Sequence, residues 1–336
     1  MTENMRTYGL GFAMVDAKVL AKNNSITELP REPQALVSYL DSQPEVELKA
    51  GGSTTNTLAA YIGILTNNSV RLFAAVGSDK RGDFLRNVAD PKLGNLQIVE
   101  NDPTGTIIYL LSADGNYIDI QSFYGAATRV TVPVNSLRDE KKFLFISNCF
   151  ALSNPNVSQE VNKAVEVLVK NGGFFALNLS GANLAEISEV ELRSSIDALP
   201  LVPSVAVGNE SEAKRLTGKN DVMEAAMSLF PNSRLVVITR DKNGSLVRFE
   251  NRIISIPAYP CKIVNDPTGA GDCYMGAMLA CLFEKPYISW TLNDIKIAAT
   301  TASYAAAKVV ERFDSRLPKD EYKDIRLFFE NLKQIF

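Results

Sequence analysis

Apolar and polar positions along the chain alternate between two patterns. Arg71–Val76, Phe143–Ile146, Phe174–Asn178, Ser204–Val207 and Leu235–Thr239 are short, nearly continuous apolar runs and predict buried strands. Asn56–Leu65, Ser158–Lys170, Glu210–Leu216, Val222–Phe230 and Cys273–Phe283 space their apolar residues three to four apart and predict helices. Strands that are apolar on both faces need cover on both faces. The alternation therefore predicts an α/β chain with a mostly parallel sheet between helices. A length of 336 residues accommodates this as a single domain, residues 1–336, with an elaboration.

Two stretches break the alternation. Met14–Lys49 is polar and punctuated by proline, with one helix predicted at Pro33–Leu40. Gly105–Thr131 predicts β-structure, with Thr106–Ser112 and Tyr117–Phe123 flanking the turn Ala113-Asp114-Gly115-Asn116. These two stretches, about 14–49 and 105–131, are expected to pair as a small β-sheet lid. Towards the end, Ile295–Val310 predicts an Ala-rich helix. Ser315–Phe336 reads as a charged amphipathic closing helix whose charges form a solvated face.

Composition narrows the chemistry. The net charge of −3 offers no global attraction to nucleic acid or anionic lipid, and no apolar run reaches the length of about 20 residues that spans a membrane. There is no histidine, which excludes Ser-His-Asp and Cys-His catalysis and the histidine-dependent zinc sites. Cys149, Cys261, Cys273 and Cys281 lack metal or disulfide spacing, so a reducing cytoplasm is expected.

Chemistry concentrates in Asn265-Asp266-Pro267-Thr268-Gly269-Ala270-Gly271-Asp272, a small-residue turn running into an apolar helix. Its glycines permit close backbone approach, and the free N–H groups of a first helical turn form an anion site. Asp272 in that mouth either caps the helix or accepts a proton from a hydroxyl attacking a phosphoryl group. Ala50-Gly51-Gly52-Ser53-Thr54-Thr55-Asn56 similarly leads a Gly-Gly turn into a helix. Asn56 can donate and accept hydrogen bonds there.

Asp266–Asp272, continued by Cys273-Tyr274-Met275-Gly276-Ala277, resembles the C-terminal signature of the PfkB (ribokinase-like) carbohydrate kinases. Ala50–Ala60 resembles that family's N-terminal Gly-Gly motif, Val76-Gly77-Ser78-Asp79-Lys80-Arg81-Gly82 its VGxDxxG segment, and Asn209-Glu210-Ser211-Glu212 its NxxE motif. Thr104-Gly105-Thr106, Asn178-Leu179-Ser180 and Arg316-Leu317-Pro318 are most similar to the adenosine-kinase-like branch, which holds both nucleoside and sugar kinases.

The resemblance implies a ribokinase-like three-layer α/β/α sandwich with a β lid. It also implies ATP-dependent phosphorylation of a sugar or nucleoside hydroxyl, usually a primary one. Asp272 would be the catalytic base, and the amides of Gly269, Ala270 and Gly271 would hold the transferring group. Asp16, Gly51, Gly52 and Asn56 would bind the substrate. Asn209, Thr239, Gly244 and Asp266 would serve the nucleotide, and Asn209 and Glu212 would organise Mg²⁺ through water. Glu212 as an ordinary helix-start acid remains the alternative. Lid-mediated homodimers also occur in the family.

Three positions depart from the pattern, one of them mildly: Pro267 stands where Thr is frequent, in a turn that still permits the following Thr-Gly geometry. Phe12 stands where many relatives have Asn, which points away from adenosine and towards a furanose sugar or another nucleoside. Arg240 stands where a small Gly is common, and either contacts phosphate or points to solvent. Two rival readings complete the picture. Gly9-Leu10-Gly11 hints at a dinucleotide-binding oxidoreductase, but Met14 replaces the third glycine. A non-catalytic binding protein with the kinase fold would have no need of the Gly269–Asp272 base.

Overall fold

The computed structural model describes residues 5–21, 28–65, 69–112, 116–140, 142–184 and 187–335. Its main sheet runs in the order Arg252–Ile256, Ser245–Phe249, Leu235–Thr239, Val205–Asn209, Phe174–Asn178, Phe143–Asn148, Arg6–Leu10 and Val70–Phe73. All neighbouring pairs are parallel except those made by Ser245–Phe249, which is antiparallel to both of its partners.

The apolar runs explain the layering. Successive side chains of a strand point to opposite faces. Leu144 and Ile146 accordingly join one buried cluster with helices Ser53–Ile64, Ala270–Leu282 and Leu292–Val310. Phe143 and Phe145 join the other, with Pro155–Asn171 and Glu210–Thr217. Val205 and Val207 against Ala206, and Leu235 and Val237 against Val236 and Ile238, divide in the same way. The result is the expected helix–sheet–helix arrangement.

A smaller sheet stands beside it, in the order Glu47–Gly51, Met14–Leu20, Thr104–Leu111, Tyr117–Gly125. Met14–Leu20 alternates buried Val15, Ala17 and Val19 with the partly exposed Asp16 and Lys18. This short period-two segment is obscured in the sequence by the polar residues that follow it. The expected hairpin forms, with Ser112 N donating to Asn116 O (2.8 Å), while residues 113–115 of its turn lie outside the described residues.

Three expectations are corrected. Arg71–Val76 is not one strand. Val70–Phe73 pairs in the main sheet, whereas Ala75–Gly77 pairs with Gln97–Val99 in a separate ribbon. Both halves are buried, so the apolar run carries no mark where the partner changes. Met14–Lys49 contributes two strands as well as its helix, which spans Pro33–Ser42. The closing helix begins only at Lys319, and Ser315–Leu317 instead packs against the smaller sheet and the glycine turn.

Asp79 ties helix Lys80–Val88, which follows the ribbon, to the smaller sheet. Its carboxylate accepts from Gly82 N (2.8 Å) at the start of helix Lys80–Val88, and from Thr104 N (2.9 Å) and Thr104 Oγ1 (2.5 Å) in the smaller sheet. Arg81 bridges Asp79 (3.2 Å) to Asp41 of helix Pro33–Ser42 (2.5 Å). Burial alone would raise the Asp79 carboxyl, but the bonds from Thr104 and Gly82 and the charge of Arg81 outweigh it and hold it low. A carboxyl depressed on folding stabilises above its unfolded value of about 4, and loses that contribution as pH falls through the folded value. Asp79→Ala should therefore lower unfolding free energy by about 1–3 kcal/mol in urea titration at pH 7. Its difference from wild type should shrink as pH falls below about 4. An unchanged urea midpoint at pH 7 would show that the junction is held elsewhere.

Candidate functional site

Parallel strands bring their carboxyl ends to one edge, and here four of the six end in a polar residue. Asn148, Asn178, Asn209 and Thr239 close four consecutive strands, and the register places Asn148 beside Asn178 and Asn209 beside Thr239. A crevice outside these ends is where open α/β sheets bind ligands. A cavity of about 150 Å³ lies there, lined by Asn178, Ser180, Asn209, Glu212, Thr239, Gly269, Gly271 and Asp272, among others.

The glycine turn opens helix Ala270–Leu282 onto that cavity. Gly269 has φ +80°, and a Cβ on it would meet Ser315 at 2.6 Å, so both backbone and neighbour demand glycine. Asp266 shapes the turn by accepting from Thr268 N (2.9 Å), and it faces Lys18 of the smaller sheet at 3.9 Å. Asp272 lies in the first helical turn and is buried.

A buried carboxylate needs donors. Ser53 Oγ (2.6 Å) and Asn178 Nδ2 (2.8 Å) donate to Asp272 Oδ1, and Asn56 Nδ2 (3.3 Å) donates to Oδ2. Burial still pushes the carboxyl up to about 6, opposed by these bonds and by the Arg316 guanidinium.

Ser53 and Asn56 open helix Ser53–Ile64, directly after the Gly-Gly pair. Gly52 has φ +99°, and a Cβ would stand 2.0 Å from Phe12 O. The bare backbone at Gly51 makes room for Asp16, since a Cβ there would lie 2.6 Å from Asp16 Oδ2. Burial raises Asp16 to about 6, while Arg316 and Lys18 pull it down and Asp266 and Asp272 push it up. Arg316 Nε donates to Asn56 Oδ1 (2.8 Å), and its Nη2 donates to Gly51 O (3.4 Å).

Asn209 and Glu212 form a capping box at the head of helix Glu210–Thr217. Asn209 Oδ1 accepts from Glu212 N (2.9 Å), and Glu212 Oε2 accepts from Asn209 N (2.8 Å). The helix-start reading of Glu212 is thus realised, and the same buried side chain also lines the cavity. Burial raises it to about 7, against backbone donors at Asn209 and Gly181 and with Asp272 adding repulsion. No group of three or more His, Cys, Asp or Glu among the described residues is arranged to hold a metal. Asn209 and Glu212 present oxygen donors of the kind that suit a hydrated Mg²⁺.

The structure thus unites Asp272, Gly269, Gly271, Asn209, Glu212 and Thr239 around one cavity, and joins Asp16, Gly51 and Asn56 to it through Arg316 and Asp272. Gly244 is set apart from the cavity and packs against Ile256–Ala258. Arg240 donates to Asn243 O (2.9 Å) and Ser255 Oγ (3.3 Å), which ties it to its own loop. Ser53, Asn178 and Arg316 were not among the expected site residues. Ser53 sits within the Gly-Gly motif and Asn178 ends a strand, and both positions are readable signals. Arg316 comes from a segment read as a solvated face. Phe12 is buried, passes its backbone carbonyl by Gly52, and packs its ring with Tyr124 (5.7 Å between ring centroids) and Phe150 (5.1 Å) into an aromatic wall.

Known proteins share this architecture. Adenosine kinase of Schizosaccharomyces pombe is 24% identical over 295 residues, 77% of this chain and 83% of that protein. The crystal structure of adenosine kinase from Sinorhizobium meliloti superposes with a TM-score of 0.77 at 17% identity, covering 99% of this chain and 100% of that one. Arabidopsis thaliana ribokinase complexed with ribose and ATP gives a TM-score of 0.68 at 18% identity, over 96% and 99%. The fold is therefore ribokinase-like. The pattern of the pfkB family carbohydrate kinases matches residues 22–321, and the chain belongs to that family.

Proposed function

We propose that this kinase transfers the γ-phosphoryl group of ATP to a primary hydroxyl of a furanose sugar or a nucleoside, with Asp272 as the base. The observation that carries this reading is the placement of Asp272. It is a buried carboxylate in the first turn of a helix whose Gly269 and Gly271 line the same cavity, and three side-chain donors hold it.

Asp16 and Asn56 hold ring hydroxyls of the acceptor against the bare backbone of Gly51 and Gly52. Asp272 takes the proton as the hydroxyl oxygen attacks the phosphorus. Oδ1 is committed to Ser53 and Asn178, so the weakly held Oδ2 is the atom that receives it. The amides of Gly269 and Gly271 stabilise charge on the transferring oxygens where it develops, whereas that of Ala270, expected to share the task, donates to Pro267 O (3.2 Å). Asn209 and Thr239 line the nucleotide side, while Asp266 and Gly244 act through the loops they shape. Asn209 and Glu212 would hold Mg²⁺ through water, and the ion would supply positive charge against the phosphates. The smaller sheet, about 14–49 and 105–131, serves as a lid that excludes water, and Asp79 anchors it to helix Lys80–Val88.

The aromatic wall narrows the acceptor. Phe12, Tyr124 and Phe150 pack on one another, and the Phe12 ring, unlike an amide, offers no hydrogen bond. An apolar wall discriminates weakly, by about 1–3 kcal/mol per methylene-sized difference, whereas a site built to hydrogen-bond a base discriminates strongly. The reading is of an enzyme that prefers a furanose, or a nucleoside other than adenosine. The reduced cysteines fit a cytoplasmic setting.

The direct test is acceptor-dependent ATP consumption across ribose, fructose, adenosine, cytidine and other nucleosides. Turnover with at least one furanose compound is expected, with adenosine not the preferred substrate. No acceptor-dependent turnover would overturn the reading, and a wide preference for adenosine would overturn the role given to Phe12.

Glu212→Gln isolates the charge at that position, because Gln still accepts in a capping box. The variant should keep its melting temperature within a few degrees and need several-fold more Mg²⁺ for half-maximal rate. An unchanged Mg²⁺ titration would leave Glu212 only its capping role.

A further inference from the structure

Arg316 belongs to the loop between helices Leu292–Val310 and Lys319–Ile335, in a segment whose resemblance to the adenosine-kinase-like branch assigned it no role. Yet the loop is fixed from two directions. Ser315 Oγ donates to Ala50 O (3.4 Å) and Lys49 Nζ donates to Phe313 O, which fastens it to strand Glu47–Gly51. Ser315 also packs on Gly269, and Asn265 N donates to Val310 O (2.8 Å) on the side of the glycine turn. The guanidinium is thereby delivered between the two signature motifs.

What it does there follows from donor and acceptor rules. A guanidinium only donates, and an ionised carboxylate only accepts. An amide placed between them has one satisfactory orientation, with its oxygen to the guanidinium and its nitrogen to the carboxylate. Asn56 is placed in this way, with Oδ1 taking Arg316 Nε at 2.8 Å and Nδ2 reaching Asp272 Oδ2 at 3.3 Å. Arg316 therefore sets which end of Asn56 faces the base. Its charge also faces both Asp16 and Asp272. The other charges at Asp16 are Lys18, Asp266 and Asp272, and Glu212 is a further acid facing Asp272. Arg316 and Lys18 are the cations that act on Asp16, and Arg316 acts on Asp272 as well.

We infer that Arg316 is a positioning residue for phosphoryl transfer: it orients Asn56 so that Oδ2 of Asp272 is held towards the acceptor hydroxyl, and it balances the paired carboxylates of Asp16 and Asp272. The inference rests on the kinase reading above. It makes the loop 311–317 part of the active site, with its effect on the chemical step and not on nucleotide binding.

The test compares wild type, Arg316→Met and Arg316→Lys under saturating ATP, with the best acceptor from the panel. Misplacing a reacting group by about 1 Å can cost ~10²-fold, so Arg316→Met should lose about that factor in kcat. Its ATP dissociation constant by calorimetry should stay within about twofold of wild type. Arg316→Lys keeps the charge and a donor for Asn56 Oδ1 but not the planar fork, and should recover to within about tenfold of wild type. Circular dichroism and melting temperature establish that each variant is folded. If Arg316→Met does not fold, Arg316→Lys alone decides: a kcat equal to wild type overturns the inference, and a loss of a few-fold to tenfold at unchanged ATP affinity supports it. A wild-type kcat in Arg316→Met would overturn it. So would a rise in acceptor KM alone with kcat unchanged, which would make Arg316 a simple substrate contact. Absence of any acceptor-dependent turnover in wild type would overturn the kinase reading, and this inference with it. Active wild type with an indifferent Arg316→Met would overturn the inference alone.

Discussion

The arrangement depends on keeping one carboxylate, Asp272, buried and ready to ionise. Removing a charge from water is costly unless hydrogen bonds and opposite charges replace the solvent. Here Ser53, Asn56 and Asn178 supply the bonds and Arg316 the charge. The balance leaves the carboxyl near 6, raised by burial yet largely ionised at neutral pH. A proton acceptor works best with a pKa close to working pH, so incomplete compensation is useful to the chemistry. Asp16 and Glu212 sit under the same burial and end near 6 and 7. The site is thus a set of acids held short of full ionisation, a state that a bound cation and a hydroxyl would relieve.

The fold supplies the compensation from distant parts of the chain. Asn178 ends a central strand, Ser53 and Asn56 begin a helix behind the first strand, and Arg316 hangs from the final loop. Helix Ala270–Leu282 packs in the same buried cluster as Ser53–Ile64, and that packing brings the two glycine-led motifs together. The same residues serve packing and site. Gly52 permits the backbone of Phe12 to pass, and the ring of Phe12 then closes an aromatic wall with Tyr124 and Phe150.

Much of this was legible in the sequence, for identifiable reasons. Buried parallel strands such as Phe174–Asn178 and Leu235–Thr239 are apolar on both faces, so their runs predict them residue for residue. The glycine turns are legible because a helix mouth that binds an anion restricts residue type at several adjacent positions. The break at Ala74 is illegible because a strand that changes partner stays buried throughout. Arg316 is illegible for a different reason. A lone arginine in a charged segment looks solvated until tertiary packing on Ala50 and Gly269 shows which way the loop turns. Asn178 lies between these extremes, since a polar residue closing an apolar strand marks the sheet edge where ligands bind.

The central claim is that Asp272 accepts the proton of the attacked hydroxyl, and single-turnover kinetics of Asp272→Asn test it most directly. The substitution preserves size and leaves an oxygen to accept from Ser53 and Asn178, so the variant should fold and bind ATP as wild type does. It cannot take the proton, and its new amide hydrogens face Asn56 Nδ2. A loss of roughly 10²–10⁴-fold in the phosphoryl-transfer rate, with ATP affinity unchanged, is the predicted result. A transfer rate close to wild type in the folded variant would contradict the account.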